Sequence, residues 1–230
     1  MIDIHSHLLY NVDDGSKSLE QSIKYLNEIK KIGMNDVVLT PHVKTKNKDL
    51  VKENYEVLKG YANKLGINLY LGNEIMSSSN IINALKNKDI LTLNNTKYIL
   101  VEFKRGESMP KENIYNIFQN LIDNGYKPIL AHPELYPCYR DIAFVERLKD
   151  MGIIIQIDAT SILLDEDFKI YSYAHKLLKN YLVDVVASDA HCTSKRSFIK
   201  LAKAYKKVKR KYGKYADIIF CENPKTIIGI

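Results

Sequence analysis

A chain of 230 residues and 26.5 kDa is long enough to close a sizeable core as one domain, which excludes peptide and fragment readings. With 46% hydrophobic and 27% charged residues and no apolar run near the ~20 residues of a membrane helix, the composition excludes membrane insertion and disorder. The balance of 34 basic and 27 acidic side chains gives +7 and a pI near 9.0, which permits an acidic partner or nucleic acid without requiring either.

In chain order, short Val- and Ile-rich runs predict strands at Ile2 to Ile4, Asp36 to Thr40, Ile67 to Leu71, Tyr98 to Phe103, Lys127 to Ala131, Ile153 to Ile157 and Val183 to Ala187. Helical periodicity falls between them, at 18–32, 48–65, 80–87, 111–124, 141–151, 168–181 and 196–212, and a glycine follows five of these segments. Ser18 with Gln21 reads as a capping box at the first helix. Strands as apolar as Ile153-Ile154-Ile155 are those of a parallel sheet covered by helices on both faces. Seven such units close into a distorted barrel or lie open as a doubly wound sheet; periodicity alone does not choose. No linker or repeat divides the chain, so residues 1–230 read as a single domain. The amino terminus carries no secretory pattern, and Cys138, Cys192 and Cys221 form no Cys-x-x-Cys pair, so reduced thiols in the cytoplasm are expected.

Five of the six histidines fall at or just beyond the carboxyl ends of predicted strands, with carboxylates beside them. The first strand runs into His5-Ser6-His7 and Asp13-Asp14-Gly15, the second into Pro41-His42 and the third into Gly72-Asn73-Glu74. The fourth carries Glu102, the fifth ends in Ala131-His132 and the seventh in Ser188-Asp189-Ala190-His191. In parallel α/β folds these ends share one face. The two-residue alternation of an extended chain aims His5 and His7 at one point, and Asp189 and His191 likewise. Imidazole and carboxylate without thiolate suit Mn, Fe or Zn, and the donors exceed what one ion needs, so two or three ions are expected. Ions ~3.5–4 Å apart can activate a water and stabilise both oxygens of a phosphoryl displacement.

These motifs resemble those of the polymerase and histidinol phosphatase (PHP) superfamily. The opening Met1-Ile2-Asp3-Ile4-His5-Ser6-His7 with Val12-Asp13-Asp14-Gly15, then Thr92-Leu93-Asn94, Glu102-Phe103 and Asn223-Pro224-Lys225, resemble its manganese-dependent tyrosine phosphatases of bacterial capsule and exopolysaccharide systems. The resemblance implies a distorted (β/α)7 barrel with two or three ions at its carboxyl face, Mn2+ foremost and Fe, Zn or Mg as other possibilities. It implies His5, His7, Glu74 and Asp189 on one ion, Glu74, Glu102 and His132 on a second, and Asp14, His42 and His191 on a third. A metal-bound water or hydroxide would be the nucleophile, Arg196 the phosphate anchor, and a tyrosine-phosphorylated cytoplasmic protein, a bacterial tyrosine kinase, the substrate. One departure stands out: the branch has His-x-Glu-Arg where this chain reads His132-Pro133-Glu134-Leu135. Arg140, later in the same loop, and Arg105, after the fourth strand on the same face, are the candidates to replace the missing arginine.

Tyr10, Phe103, Tyr136 and Tyr139 lie in or beside these loops and could flank an aromatic ring. No Cys is followed six residues later by Arg, and neither a Gly-x-Ser-x-Gly elbow nor a Gly-x-x-x-x-Gly-Lys loop occurs, so no thiol, serine or P-loop chemistry competes. A small-molecule phosphatase such as one for histidinol phosphate, a nuclease, and a metal-bound phosphotyrosine scaffold remain as rival readings. The ten basic residues between Lys195 and Lys214 read as a solvated helix face or as a docking patch for acidic or phosphorylated protein, and no nucleic-acid motif accompanies them.

Overall fold

The computed structural model describes residues 1–42, 48–78, 80–104, 109–165, 167–191 and 196–230. Among the described residues, eight parallel strands form two sheets. β1 (Ile2–Asp3), β2 (Asp36–Leu39) and β3 (Asn68–Leu71) pair in that order; β4 (Glu74–Met76), β5 (Tyr98–Glu102), β6 (Lys127–Ala131), β7 (Ile154–Asp158) and β8 (Val185–Ala187) form the second. Two isolated parallel bridges, His42 to Glu74 and Ser6 to Ala190, link residues just past the strand ends of one sheet to the other.

Each of the seven expected strands is present, shortened or shifted by one or two residues at some ends. β4 was not expected. It forms because the chain leaves β3 at Gly72 and Asn73 and resumes pairing on the other sheet. Gly72 has no room for a side chain, since a Cβ there would lie 2.7 Å from Leu93 Cδ2, and the Asn73 amide holds the break by donating to Pro41 O (2.9 Å) and accepting from Leu91 N (2.7 Å).

The helices are α1 (Leu19–Lys31), α2 (Lys48–Lys64), α3 (Ile81–Lys86), α4 (Lys111–Asp123), α5 (Ile142–Asp150), α6 (Ala159–Leu163), α7 (Phe168–Lys179), α8 (Phe198–Tyr212), α9 (Lys214–Asp217) and α10 (Asn223–Ile228). α1 buries Ser22, Tyr25, Leu26 and Ile29, the one-sided set its periodicity demands. Ser18 Oγ accepts from Gln21 N (3.3 Å), whereas the Gln21 amide reaches back to Lys17 N (2.7 Å) rather than to the cap itself, one residue off the expected box. α6, α9 and α10 are too short to show a period in sequence.

Strand side chains divide between two apolar clusters. Ile99, Val101, Leu130 and Val186 point to the larger one, under the helices; Leu100, Ile129, Ala131, Val185 and Ala187 point to the smaller, with Ile2, Ile4, Val38 and Leu93. Ile227 and Ile228 of α10 complete the smaller cluster. Both faces of the strands are therefore dry, as their uninterrupted apolar sequences require.

Candidate metal centre

The chain beyond β1 stays extended, so His5 and His7 share one side while Ser6 Oγ turns away to donate to Val38 O (2.8 Å). Asp189 N donates to His5 O (3.0 Å), His7 N to Ala190 O (2.9 Å) and Glu74 N to Thr40 O (3.2 Å), which sets the ends of β1, β2, β4 and β8 side by side. His132 and Asp189 leave their strands in the left-handed region, at φ 36° and 46°, a strained conformation that turns each side chain out of the strand's regular alternation. Gly15 is equally constrained: a Cβ would lie 2.1 Å from His7 O, so only glycine lets the Asp13-Asp14 loop close over His7.

Glu74 lies at the centre. Its Oε2 is 3.2 Å from His5 Nε2, 3.1 Å from His7 Nε2 and 3.4 Å from His42 Nδ1, and its Oε1 is 2.9 Å from His132 Nε2. Asp189 Oδ1 is 3.3 Å from His5 Nε2 and 3.5 Å from His7 Nε2; Glu102 Oε1 is 3.2 Å from His42 Nδ1. Asp14 Oδ1 lies 3.7 Å from His42 Nε2 and 3.6 Å from His191 Nε2. Among the described residues, three groups place donor atoms close enough to share an ion: His5, His7, Glu74 and Asp189; His7, Asp14, His42 and His191; and His42, Glu74 and Glu102. The first group is buried throughout, whereas the Asp14 side chain is 67% exposed, so the cleft opens on the Asp14 side.

All nine expected donors are thus brought together. The first group coincides with the set the resemblance implies. The other two differ from it: His7 joins Asp14, His42 and His191, and His42 rather than His132 accompanies Glu74 and Glu102. His132 instead meets Glu74 directly, and its buried Nδ1 has no hydrogen-bond partner among the described residues.

The donor set fits a divalent cation. His7 Nδ1 donates to Asp13 Oδ2 (2.7 Å), and His5 Nδ1 donates to Gln156 Oε1 (3.0 Å), an amide oriented by its own donation from Nε2 to Asp158 Oδ1 (3.0 Å). Both rings are left with Nε2 as the free basic atom, and the two Nε2 atoms face each other at 3.3 Å beside two carboxylates. Burial works against charge on His5, yet Glu74 and Asp189 outweigh it and push its pKa up to about 10. A cation between the rings meets the same electrostatic demand without a proton. Burial would also raise Asp189, but His5 and Arg196 hold it down at about 2, while burial and the charge of Glu74 raise Glu102.

Arg196 is the one arginine among the described residues lining this cleft, which spans about 290 Å³; its Nη1 donates to Asp189 Oδ2 (2.7 Å). Arg140 is held elsewhere by donation from Nε to Glu134 O (2.9 Å), Leu135 is half-buried in the same loop, and Arg105 lies outside the described residues. Phe103, Tyr136 and Tyr139, expected to flank a ligand ring, are instead buried against one another, and Tyr136 Oη accepts from Phe103 N (3.0 Å). Those aromatics belong to the larger apolar cluster, where Phe103 meets Phe118 of α4 and Tyr139 meets Phe144 of α5. Of the described cysteines, Cys138 is exposed and Cys221 half-buried, and neither lines the cleft; Cys192 lies outside the described residues.

Two supporting groups were not assigned from sequence. Asp13 sits in the same motif as Asp14, but which of the pair reaches inward depends on the loop: Asp13 accepts from His7, from Gly15 N (2.8 Å) and from His42 N (3.1 Å). Gln156, the polar residue within Ile153-Ile154-Ile155-Gln156-Ile157, carried a readable signal as an amide in an otherwise apolar strand. Asp13→Ala is expected to weaken metal binding about 10- to 100-fold by freeing the His7 ring, measured by competition with a chelating dye.

Fold and site together define a class: parallel α/β proteins that gather His and carboxylate donors able to hold metal at the carboxyl ends of their strands. A profile of the family described as capsular polysaccharide synthesis, CpsB/CapC, matches residues 1–229, and the chain belongs to that family. It is 35% identical to the tyrosine-protein phosphatase CpsB of Streptococcus agalactiae and 33% identical to that of Streptococcus pneumoniae, each alignment covering 99% of this chain and 98% of the relative. Among solved structures, those of YwqE from Bacillus subtilis and CpsB from S. pneumoniae, described as unique metal-dependent tyrosine phosphatases, provide a match at TM-score 0.91 and 27% identity. It covers 100% of this chain and 94% of the matched one.

Proposed function

We propose that residues 1–230 form one metallophosphatase domain that hydrolyses phosphotyrosine on a protein, with Mn2+ as the working ion. The observation that carries this is the sharing of Glu74 between two donor groups, beside an arginine in the same cleft. The relatives named tyrosine-protein phosphatase, aligned over nearly the whole chain, support the reaction. A distorted seven-stranded barrel is the architecture we infer, with β3 and β4 as one interrupted stave. The bridges from Ser6 to Ala190 and His42 to Glu74, and the small apolar cluster plugged by α10, support it.

His5, His7, Asp14, His42, Glu74, Glu102, His132, Asp189 and His191 would hold the ions. Bound there, they would supply an activated water and neutralise charge on the phosphoryl oxygens. Gln156 and Asp13 keep the lone pairs of His5 and His7 aimed inward. Arg196 offers its guanidinium to a non-bridging phosphoryl edge, with Asp189 fixing its direction. The open Asp14 side admits a group carried on a protein surface. The partner we infer is a tyrosine-phosphorylated cytoplasmic protein, in capsule systems a bacterial tyrosine kinase; among the described residues no helix is long and apolar enough to cross a membrane.

The test is turnover of a phosphotyrosine peptide by metal-reconstituted protein, compared with histidinol phosphate and single-stranded DNA. Preference for either of the latter replaces this reading. Chelation is expected to remove activity, Mn2+ to restore it, and alkylation of the cysteines to leave kcat/KM within about twofold; loss on alkylation with metal content intact contradicts the mechanism.

A further inference from the structure

The cleft continues into a second pocket, of about 400 Å³, which Arg196 does not line. Ile75, Met76, Ile81, Ala84 and Ile90 line it, together with the polar Ser78 and Asn80. At its inner end it shares His42, Glu74 and Glu102 with the cleft, whereas Asp189, His191 and Arg196 belong to the cleft alone. Met76 lines both spaces. It stands two residues after Glu74 on β4, so strand alternation puts its side chain on the same side as the central carboxylate. It is also 45% exposed, an apolar side chain left open at the rim of a highly charged centre.

We propose that this pocket receives the aromatic ring of the substrate and makes the site selective for aryl over alkyl phosphate monoesters, with Met76 the residue that grips the ring. This rests on the phosphatase reading above and names the feature that selects tyrosine. A phosphoryl group held at the centre and by Arg196 directs its ester oxygen to the side Arg196 does not occupy, which is where the pocket opens. An apolar cavity of about 150 Å³ already admits a benzene ring, so the available space is ample. A thioether edge is favourable against an aromatic ring, and the flexible side chain can adjust to it. Phosphoserine has no group long or apolar enough to use the pocket. The buried cluster of Phe103, Tyr136 and Tyr139 offers no open face for that role.

The experiment compares binding of phenylphosphonate and methylphosphonate to the Mn2+-loaded protein by isothermal titration calorimetry. We expect phenylphosphonate to bind at least tenfold more tightly. Met76→Gln, at a partly exposed position, and Ala84→Trp, which fills the pocket, should each bring the ratio to within about twofold of one. Methylphosphonate affinity, Mn2+ content and melting temperature should stay close to those of the parent protein. A ratio near one in the parent, binding of neither phosphonate, or a ratio preserved in both variants overturns the proposal. If the ratio behaves as expected but a phosphotyrosine peptide is not turned over, the pocket stands and the phosphatase reading fails.

Discussion

Glu74→Ala is expected to remove metal from two positions at once and to lower kcat/KM on a phosphotyrosine peptide by a thousandfold or more. Glu74 is the residue whose two oxygens together approach four of the imidazoles, those of His5, His7, His42 and His132, at 2.9 to 3.4 Å. It also belongs to two of the three groups able to hold an ion. Its carboxyl is held well below the ordinary glutamate range: burial alone would raise it, but the surrounding histidines prevail. Removing it takes away a ligand and the negative charge that keeps several cationic or cation-seeking groups together in a buried space. Elemental analysis of the purified variant checks the first part. Full occupancy in Glu74→Ala would show that Glu74 bridges nothing. Glu74→Gln preserves shape and should still lose metal, because a neutral amide is a much weaker ligand for a hard divalent ion; retention of metal there but not in the alanine variant would make the role one of packing.

The second large effect concerns Arg196. Arg196→Ala should lower kcat/KM by about a hundredfold, roughly 2.7 kcal/mol, the magnitude typical of one lost transition-state donor. Negative charge in phosphoryl transfer is spread over three equatorial oxygens, and a guanidinium meets an oxygen edge with two donors in fixed geometry. No second arginine among the described residues lines the cleft, with Leu135 where the branch has arginine and Arg140 tied to Glu134 O, so the loss should not be shared. The contact with Asp189 adds a second consequence. Arg196 helps keep that carboxyl ionised, so its removal is expected to weaken metal binding modestly as well, within about tenfold. Arg196→Lys separates the two roles. It restores the charge beside Asp189 and hence the metal affinity, while most of the rate loss should persist for want of the planar fork. Rates measured at saturating Mn2+ isolate the phosphate contact; a variant with normal turnover there would show that the anchor lies elsewhere.

Much of this centre was legible in the linear chain for a simple reason. His-x-His and Asp-x-His after predicted strands are local patterns, and the rule that parallel strand ends share a face converts nine separate positions into one cluster. Seven of those nine side chains line the cleft, and His5 and His7 lie buried against Glu74 and Asp189. Strands two residues long, such as Ile2–Asp3, could be found because their apolar runs extend past the paired residues. β4 could not, since Glu74-Ile75-Met76 has no period of its own and pairs only because Gly72 and Asn73 pass the chain from one sheet to the other.

Residue identity also could not say which histidines share an ion. His42 and His132 are both single imidazoles at strand ends, and the separation of their roles depends on where β2 and β6 end relative to Glu74, a matter of sheet register and of the left-handed turn at His132. Aromatic residues near the site misled for a related reason: Phe103, Tyr136 and Tyr139 are close to the ligands in sequence, but burying three large rings against each other removes more apolar surface from water than leaving them at the mouth. The sequence by itself determined the chemistry, through residue type and two-residue spacing: a parallel α/β chain carrying an imidazole and carboxylate centre. Tertiary structure alone decided the division of labour, with Asp13 behind His7, Gln156 behind His5, Arg196 against Asp189 and Met76 at the rim, because each depends on distances between segments that the chain brings together only when it folds.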